Sequence, residues 1–208
     1  MAAPAPAEAL RDGPILVEIL RSFGPSATAW AERLIEEFGS VAGVLAAGPN
    51  ALARILGPGN PAIRQLGMIR DVMLHVLREE ALKAPVIGTS EALIDYLSTD
   101  MAHLPVERLR VLFLNAKNRL LRDEMVCDGS VNEAPIYPRE IMRRALEVGA
   151  TALILAHNHP SGDPQPSEGD IEATRRVAAA ARPLDICIHD HVILARSGWS
   201  SLRTLGLL

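Results

Sequence analysis

The chain has 208 residues, of which 49% are hydrophobic and 3% aromatic, and its formal net charge is −4 at pH 7. This length allows one or two domains with a sizeable core, and the sequence lacks an apolar run of the about 18 residues that a membrane span requires. The negative net charge excludes a general electrostatic attraction to nucleic acid and leaves only a local basic patch for such contacts.

The first part of the chain, residues 1–85, is predicted to form a small helical domain. An alanine- and proline-rich tail, residues 1 to about 12, is expected to be disordered because it has little to bury. Apolar residues at helical spacing then predict helices over residues 15–23, 27–38 and 63–82.

The segment from Leu56 to Ile63 resembles the glycine hairpin of a helix-hairpin-helix element. Such a turn can present backbone N–H groups to a phosphate of DNA. Pro58 and Pro61 lack that donor, and few basic residues flank the turn. A purely structural turn is therefore the favoured interpretation, and contact with DNA is the alternative.

Turn residues at 84–88 predict a domain boundary, and residues 86–208 alternate between helix and strand patterns. The predicted helices cover 91–97 and 139–148, and a third begins after Ser167. The predicted strands cover 109–114, 120–127, 151–156, 185–188 and 191–195, with a hairpin turn around Lys117-Asn118. This pattern predicts an α+β fold with a mixed β-sheet core and flanking helices.

The most informative segment runs from His157 to Asp170 and contains the pattern H-x-H-x7-S-x2-D. The apolar strand 151–156 ends at His157, and in an extended chain His157 and His159 point to the same side. The proline-rich loop must then turn back to Ser167, which together with Asp170 predicts the start of a helix. Two imidazoles and one carboxylate are the ligand set of a catalytic zinc site with an open fourth position. The sequence therefore predicts a metal site.

Each of these residues also has a structural interpretation when it is taken alone. Ser167 and Asp170 suit a helix cap and a first-turn acid, and a histidine at a strand end is commonly only hydrogen-bonded. Capping does not require two histidines on one strand face opposite a carboxylate, so the joint pattern favours the metal site. Ser161 and Asp163, in the loop between, are predicted to be turn residues.

Other classes of metal and phosphate site lack their motifs in this sequence. It contains no H-E-x-x-H helix pattern, no H-x-E with P-C-x-x-C, and no G-x-x-x-x-G-K loop. Cys127 and Cys187 are isolated, so neither a cysteine-rich zinc cage nor a disulfide framework is predicted. A reducing compartment, the cytoplasm, is the expected location.

Further polar residues are predicted to support the fold or the site. His189 and His191 flank Asp190 on a predicted strand; we expect them on one face, with one of them hydrogen-bonded near the metal site. Tyr137-Pro138-Arg139-Glu140 is typical of a helix start with proline at its first position. Contact of Arg139 with a substrate carboxylate or phosphate is the alternative for that residue.

The histidine motif resembles the JAMM motif of the JAB/MPN metalloprotein superfamily, and its surroundings are similar to those of the RadC family. The similar residues are Glu107 ahead of its strand, the segments 115–121, 129–132, 137–140 and 184–186, and Asp190-His191. The resemblance covers roughly residues 86–208. It implies a JAB/MPN-like fold for these residues, preceded by the helical domain.

The resemblance also assigns roles. It implies that His157, His159 and Asp170 bind one zinc ion per chain. It implies that Glu107 handles the proton of the zinc-bound water and that the Ser167 hydroxyl helps to hold the tetrahedral intermediate. The expected function is a zinc-dependent hydrolase that cleaves a peptide or isopeptide bond in a peptide or protein. The alternatives are a DNA-associated accessory protein and an inactive zinc-binding module.

Overall fold

The computed structural model describes residues 6–82, 91–128 and 136–208. The chain divides into two compact units, Met1–His75 and Val76–Leu208. The predicted boundary at residues 84–88 and the turn segment 129–132 lie outside the described residues. Within the described ranges, no helix is both long and apolar enough to cross a membrane.

The first unit is built from helices whose apolar faces meet in one buried cluster. Leu16, Leu20, Leu34, Leu52 and Leu66 are among the residues of this cluster. The helices are α1 (Pro6–Leu20), α2 (Ser26–Phe38), α3 (Val41–Ala46), α4 (Pro49–Leu56) and α5 (Pro61–Leu82), of which residues 76–82 belong to the second unit.

Two features of this unit differ from the sequence-based expectation. The predicted disordered tail is wrong for residues 6–12, because α1 begins at Pro6 and the carboxylate of Asp12 accepts a hydrogen bond from the Val41 amide at 2.9 Å. Helices α3 and α4 were not predicted, since elements of six and eight residues carry too few apolar positions to show a period. Ser40 caps the first of them through the Gly43 amide.

A glycine turn joins α4 to α5, as the helix-hairpin-helix resemblance predicted. Gly57 and Gly59 both have positive φ angles, of 91° and 78°, which only glycine adopts readily. Asn60 then caps α5, because its Oδ1 accepts from the Ala62 amide at 3.0 Å. The turn is therefore stabilised from within the chain, and contact with DNA stays the alternative interpretation.

The second unit contains a mixed five-stranded sheet in the order β2-β1-β3-β4-β5. Strands β3 and β4 are parallel, and all other neighbours are antiparallel. The strands are β1 (Arg108–Leu114), β2 (Leu120–Asp128), β3 (Ala152–Asn158), β4 (Cys187–Ala195) and β5 (Gly198–Ser201). The helices are α6 (Glu91–Met101), α7 (Pro138–Val148) and α8 (Glu168–Ala181). The predicted α+β class is confirmed.

Helices cover both faces of this sheet. Side chains of one face, including Phe113 and Leu155, are buried against Ile141 of α7 and Val177 of α8. The opposite face is covered by α6, whose Tyr96 hydroxyl accepts a hydrogen bond from Arg110 at 3.2 Å. Strand β3 lies in the middle of the sheet and is buried along its whole length.

Strand β4 is continuous, whereas the sequence predicted two separate strands over residues 185–195. Its pairing with β3 is irregular, since Leu153 pairs with Ile188 but Ile154 pairs with Asp190. His189 is thus an extra residue in the ladder, as in a β-bulge. The bulge interrupts the alternation of side chains, which is why the pattern looked like two short strands.

Candidate metal centre

Strand β3 positions the two histidines of the motif at its carboxyl end. The His159 amide donates to the Leu194 carbonyl at 2.8 Å, so backbone pairing with β4 continues one residue beyond the strand. Extended backbone directs residues two apart to the same side. The Nε2 atoms of His157 and His159 accordingly lie 2.9 Å apart, which confirms the predicted orientation.

The first turn of α8 brings Asp170 to these rings. Ser167 caps the helix in a capping box: its Oγ accepts from the Asp170 amide at 3.1 Å, and the Asp170 carboxylate accepts from the Ser167 amide at 2.8 Å. The two carboxylate oxygens of Asp170 lie 3.2 Å from His157 Nε2 and 3.4 Å from His159 Nε2. The end of β3 and the first turn of α8 therefore bring the three predicted ligands together.

The loop between the histidines and α8 is held in place by the β4–β5 hairpin. Three hairpin side chains donate to three alternate carbonyl groups of the loop. These bonds run from Arg196 to Pro160 at 3.1 Å, from Ser197 to Gly162 at 2.6 Å, and from Ser200 to Pro164 at 2.6 Å. Ser161 and Asp163 accept from backbone amides two residues ahead, which confirms them as turn residues.

The hydrogen bond of His159 within this loop determines which ring nitrogen faces the site. Its Nδ1 lies 2.8 Å from the carbonyl oxygen of Asp163. A carbonyl only accepts, so Nδ1 carries the hydrogen. In the neutral ring, Nε2 of His159 is then a bare acceptor directed at Asp170 and His157.

A longer hydrogen-bond chain determines the tautomer of His157. The Thr174 hydroxyl donates its one hydrogen to the Asp170 carbonyl at 2.6 Å, and its oxygen also lies 2.5 Å from His191 Nδ1. Nδ1 of His191 must therefore donate to Thr174, which leaves His191 Nε2 as the acceptor. That nitrogen lies 2.7 Å from His157 Nδ1, so Nδ1 of His157 is the donor and its Nε2 faces the site without a hydrogen.

Three acceptors thus point into one space: the two Nε2 atoms and the Asp170 carboxylate. Their ligand atoms all lie within 4.8 Å of one another. Acceptors gathered in this way repel unless a cation lies between them, and imidazole nitrogen with carboxylate oxygen is a donor set that zinc takes. The residues therefore fit a metal ion, and each ring is oriented by a hydrogen bond of its other nitrogen.

The ionisation of these groups follows from the same contacts. In the metal-free protein burial raises the pKa of Asp170, but the hydrogen bonds that His157 and His159 donate when they are protonated, together with that of Ser167, outweigh it and hold that pKa well below its usual range. The hydrogen bond to Asp170 raises the pKa of His159. Burial, together with the neighbouring His157, lowers the pKa of His191 well below its usual value, so His191 is neutral at pH 7.

Glu107 lies beside this group, directly before β1. The pairing of β1 with β3 ends with Leu109 opposite His157, and two more residues in that register bring Glu107 opposite His159. After the larger effect of Asp170, the Glu107 carboxylate contributes to the raised pKa of His159. Among the described residues, the group able to hold a metal consists of the two histidines and Asp170, without Glu107. Glu107 therefore lies next to the ligand group without belonging to it, as expected for the acid that the resemblance implies.

Ser167 contacts the same aspartate with its side chain. Its hydroxyl donates to Asp170 Oδ2 at 2.7 Å while its oxygen serves as the helix cap. The prediction that this residue starts a helix is confirmed. Its catalytic role stays a prediction.

The predictions for His189 and His191 have different outcomes. His191 contacts His157, which confirms a histidine of β4 as an outer partner of the site. The prediction that His189 lies on the same face as His191 is wrong, because the bulge turns His189 towards Asn118; the Oδ1 of Asn118 lies 2.7 Å from the Nε2 of His189.

The predicted helix start at Pro138 is confirmed, and the exposed Arg139 forms an ion pair with Glu140 at 3.7 Å.

Sequence reasoning did not identify Thr174, which lies in the buried stripe of α8. The residue is buried, yet both hydrogen-bonding capacities of its hydroxyl are used. A hydroxyl among the alanines and Val177 of a buried stripe was the signal that could have identified it. Cys127 and Cys187 are free thiols.

Known proteins are similar to this chain over most of its length. The family model described as a RadC-like JAB domain matches residues 87–207. A UPF0758 protein from Rhodobacter capsulatus is 44% identical over 178 residues, which cover 86% of this chain and 83% of the relative. The matched family region contains both histidines, the capped helix with Asp170, and Glu107. The chain belongs to the RadC family of JAB domain proteins.

Proposed function

We propose that the protein is a zinc-dependent hydrolase of the JAMM type that cleaves a peptide or isopeptide bond. The observation that carries this proposal is the convergence of two hydrogen-free Nε2 atoms and one carboxylate, with Glu107 beside them. The JAB/MPN superfamily includes metallohydrolases, which supports the same class of reaction. A peptide or protein is the proposed substrate.

His157, His159 and Asp170 would hold the ion, and three protein ligands leave a fourth position open. When bound there, zinc lowers the pKa of a coordinated water towards about 7 and polarises the substrate carbonyl as a Lewis acid. His191 and the Asp163 carbonyl keep both imidazoles in the tautomer that binds through Nε2. The remaining chemistry is proton transfer and stabilisation of the substrate oxygen.

Glu107 is the proposed general base and acid. Its carboxylate takes the proton of the attacking water and returns it to the leaving amine, which would otherwise depart as an unstable anion. The residue is half-buried and lies on the face of the sheet that carries the histidine rings. A carboxylate opposite His159 suits an acid that works beside the ion.

Ser167 is the proposed donor to the substrate oxygen. Its hydroxyl hydrogen can turn from Asp170 Oδ2 to a substrate while the oxygen still caps α8. The Asp170 oxygen that loses this donor keeps the hydrogen bond from the Ser167 amide. A donor aimed at the developing negative charge lowers the barrier to attack.

Metal analysis combined with a screen of amide-linked substrates tests this proposal. Purified protein should contain about one zinc per chain and hydrolyse at least one peptide or isopeptide substrate, with activity lost on chelation and restored by zinc. Activity that survives chelation would refute the metal mechanism. A zinc-loaded protein that hydrolyses no such substrate would instead favour the inactive binding module. Salt-dependent DNA binding that weakens when Arg64 and Arg70 are changed to alanine would favour the DNA-associated role.

A further inference from the structure

Asn158 stands between the two histidines in the chain, and its side chain is completely buried. It has no place among the residues that can hold a metal, because successive side chains of a strand point to opposite sides. Both ends of its amide nevertheless have defined partners. Oδ1 accepts from the Arg108 amide at 2.9 Å, and Nδ2 donates to the Val106 carbonyl at 3.0 Å.

These two partners flank Glu107 directly on either side. Backbone pairing between β1 and β3 ends at Leu109 and His157, so the ladder itself does not reach Glu107. The amide of Asn158 extends it, since one acceptor and one donor of a side chain replace the backbone groups of a further strand residue. The short segment 106–108 is thereby fixed against the end of β3.

The direction of the Glu107 side chain follows from this attachment. Asn158 lies opposite Arg108 in the continued register, and Glu107 lies opposite His159. With the backbone held on both sides of Glu107, its carboxylate is directed to the face occupied by the two imidazole rings. A buried amide with both groups bonded also resists displacement, because either group would be left unpaired in the interior.

We propose that Asn158 is a positioning residue that fixes Glu107 beside the metal centre through its two backbone hydrogen bonds. The catalytic consequence rests on the proposed function, whereas the attachment itself does not. Asn158 therefore links the strand that carries both histidine ligands to the segment that carries the general base. Its two hydrogen bonds bridge these two segments.

The attachment is tested first without any turnover. In Asn158→Ala, hydrogen exchange of the Arg108 amide should accelerate by roughly tenfold or more relative to the amides of Val111 and Phe113 in the same strand. In protein loaded with Co2+, the paramagnetic shift of the Glu107 amide should change while that of Gly169 on α8 stays the same. Unchanged exchange at Arg108, or an unchanged shift at Glu107, would overturn the proposal.

A double-mutant cycle tests the effect of Asn158 on the reaction. Asn158→Ala should lower kcat by roughly 10²-fold, the scale expected for a misplaced catalytic group, with zinc content unchanged. In the Glu107→Gln background the same change should have little further effect, because the group that it positions is already inactive. An equal loss in both backgrounds would show that Asn158 acts elsewhere.

A second variant controls for the possibility that Asn158→Ala misfolds. Asn158→Thr has a β-branched side chain that suits a strand but cannot reach both backbone groups, so it should reproduce the effects of alanine. If the wild type hydrolyses no amide substrate, the proposed function fails, while the exchange and Co2+ measurements still decide the role of Asn158.

Discussion

His157 Nδ1 lies 2.7 Å from Nε2 of His191, and this contact turns the other nitrogen of His157 towards Asp170. The orientation is transmitted from the helix, since Thr174 accepts from His191 and donates to the carbonyl of Asp170. One hydrogen-bond chain therefore starts and ends at predicted ligands. Its directions are determined by the single hydrogen of the threonine hydroxyl.

Changing Thr174 to valine should weaken this arrangement while preserving side-chain shape. Valine cannot accept from His191, so the tautomer of His157 is no longer enforced, and zinc affinity should fall roughly 10- to 100-fold, as when outer partners of metal ligands are removed. Competition with a chelator measures the affinity. Thr151→Val, at an exposed position directly before β3, serves as the matched control. Equal affinities for the two variants would show that the chain from Thr174 has no part in metal binding.

Changing His159 to alanine should remove most of the zinc. Only His157 and Asp170 would remain, and two protein ligands are too few for a stable catalytic zinc site. Elemental analysis after gel filtration measures the zinc content per chain. His75→Ala, an exposed histidine of α5, should retain the wild-type content. A His159 variant with full zinc content would contradict the ligand assignment.

Changing Glu107 to glutamine should separate proton transfer from metal binding. The amide cannot accept a proton, so kcat should fall by roughly 10²-fold or more, with zinc content and unfolding midpoint unchanged. Glu172→Gln, at an exposed position of α8, is the control for loss of one negative charge. Loss of zinc would make Glu107 a ligand instead, and unaltered turnover would remove it from the reaction.

Three substitutions separate the two roles of Ser167. Alanine should cost about 1 kcal/mol through the lost cap and also reduce kcat by roughly 10²-fold. Glycine is tolerated at this cap position at a cost of only a few tenths of a kcal/mol but has no hydroxyl, so its variant should be nearly as stable as wild type and slow. Threonine should retain both properties. A glycine variant with wild-type kcat, measured beside its urea unfolding curve, would leave Ser167 with the capping role alone.

Titration of His191 should lower the stability of the metal-free protein on mild acidification, whereas the raised pKa of His159 acts in the opposite direction above pH 6.5. Burial lowers the pKa of His191 in the folded state below its unfolded value of 6.5. Below that pH the unfolded chain binds one more proton than the folded chain, so stability falls by about 1.4 kcal/mol for each further pH unit until the folded pKa is reached. The lowered pKa of Asp170 affects a different window, below about pH 4, where its unfolded form gains a proton.

Urea unfolding at pH 7 and pH 5.5 measures this effect. In His191→Gln the fall in the free energy of unfolding between these two pH values should be smaller than in wild type. The difference should be roughly the free energy linked to the uptake of one proton by the unfolded chain. His75→Gln should behave as wild type. An identical pH dependence in all three proteins would contradict the buried neutral state of His191.

Much of the fold could be predicted from local patterns. Helical spacing identified α1, α2 and α5, and short apolar runs identified β1 to β4, because these signals depend only on neighbouring residues. The four-residue β5 was not predicted, since it is too short to show a pattern. The errors occur where local signals are short or interrupted. Helices α3 and α4 are too short to show a period, and the bulge at His189 breaks the alternation of β4.

The candidate ligand group was also determined by the sequence, because its parts lie close together in the chain. His157 and His159 share a strand end, and Ser167 and Asp170 share the first turn of a helix, so local geometry alone directs each pair. The loop between them is short enough to bring the two pairs together.

Only the tertiary structure decided how this group is oriented and what stands beside it. The bond from His157 to His191 joins residues 34 apart, and the bonds from Asn158 to the segment around Glu107 join residues 50 and 52 apart. Both depend on which strands are neighbours and on their register, and a register shift of one residue would turn every side chain to the other face. Strand pairing is a property of the assembled sheet, so neither the tautomer of His157 nor the attachment of Glu107 could be obtained from local pattern.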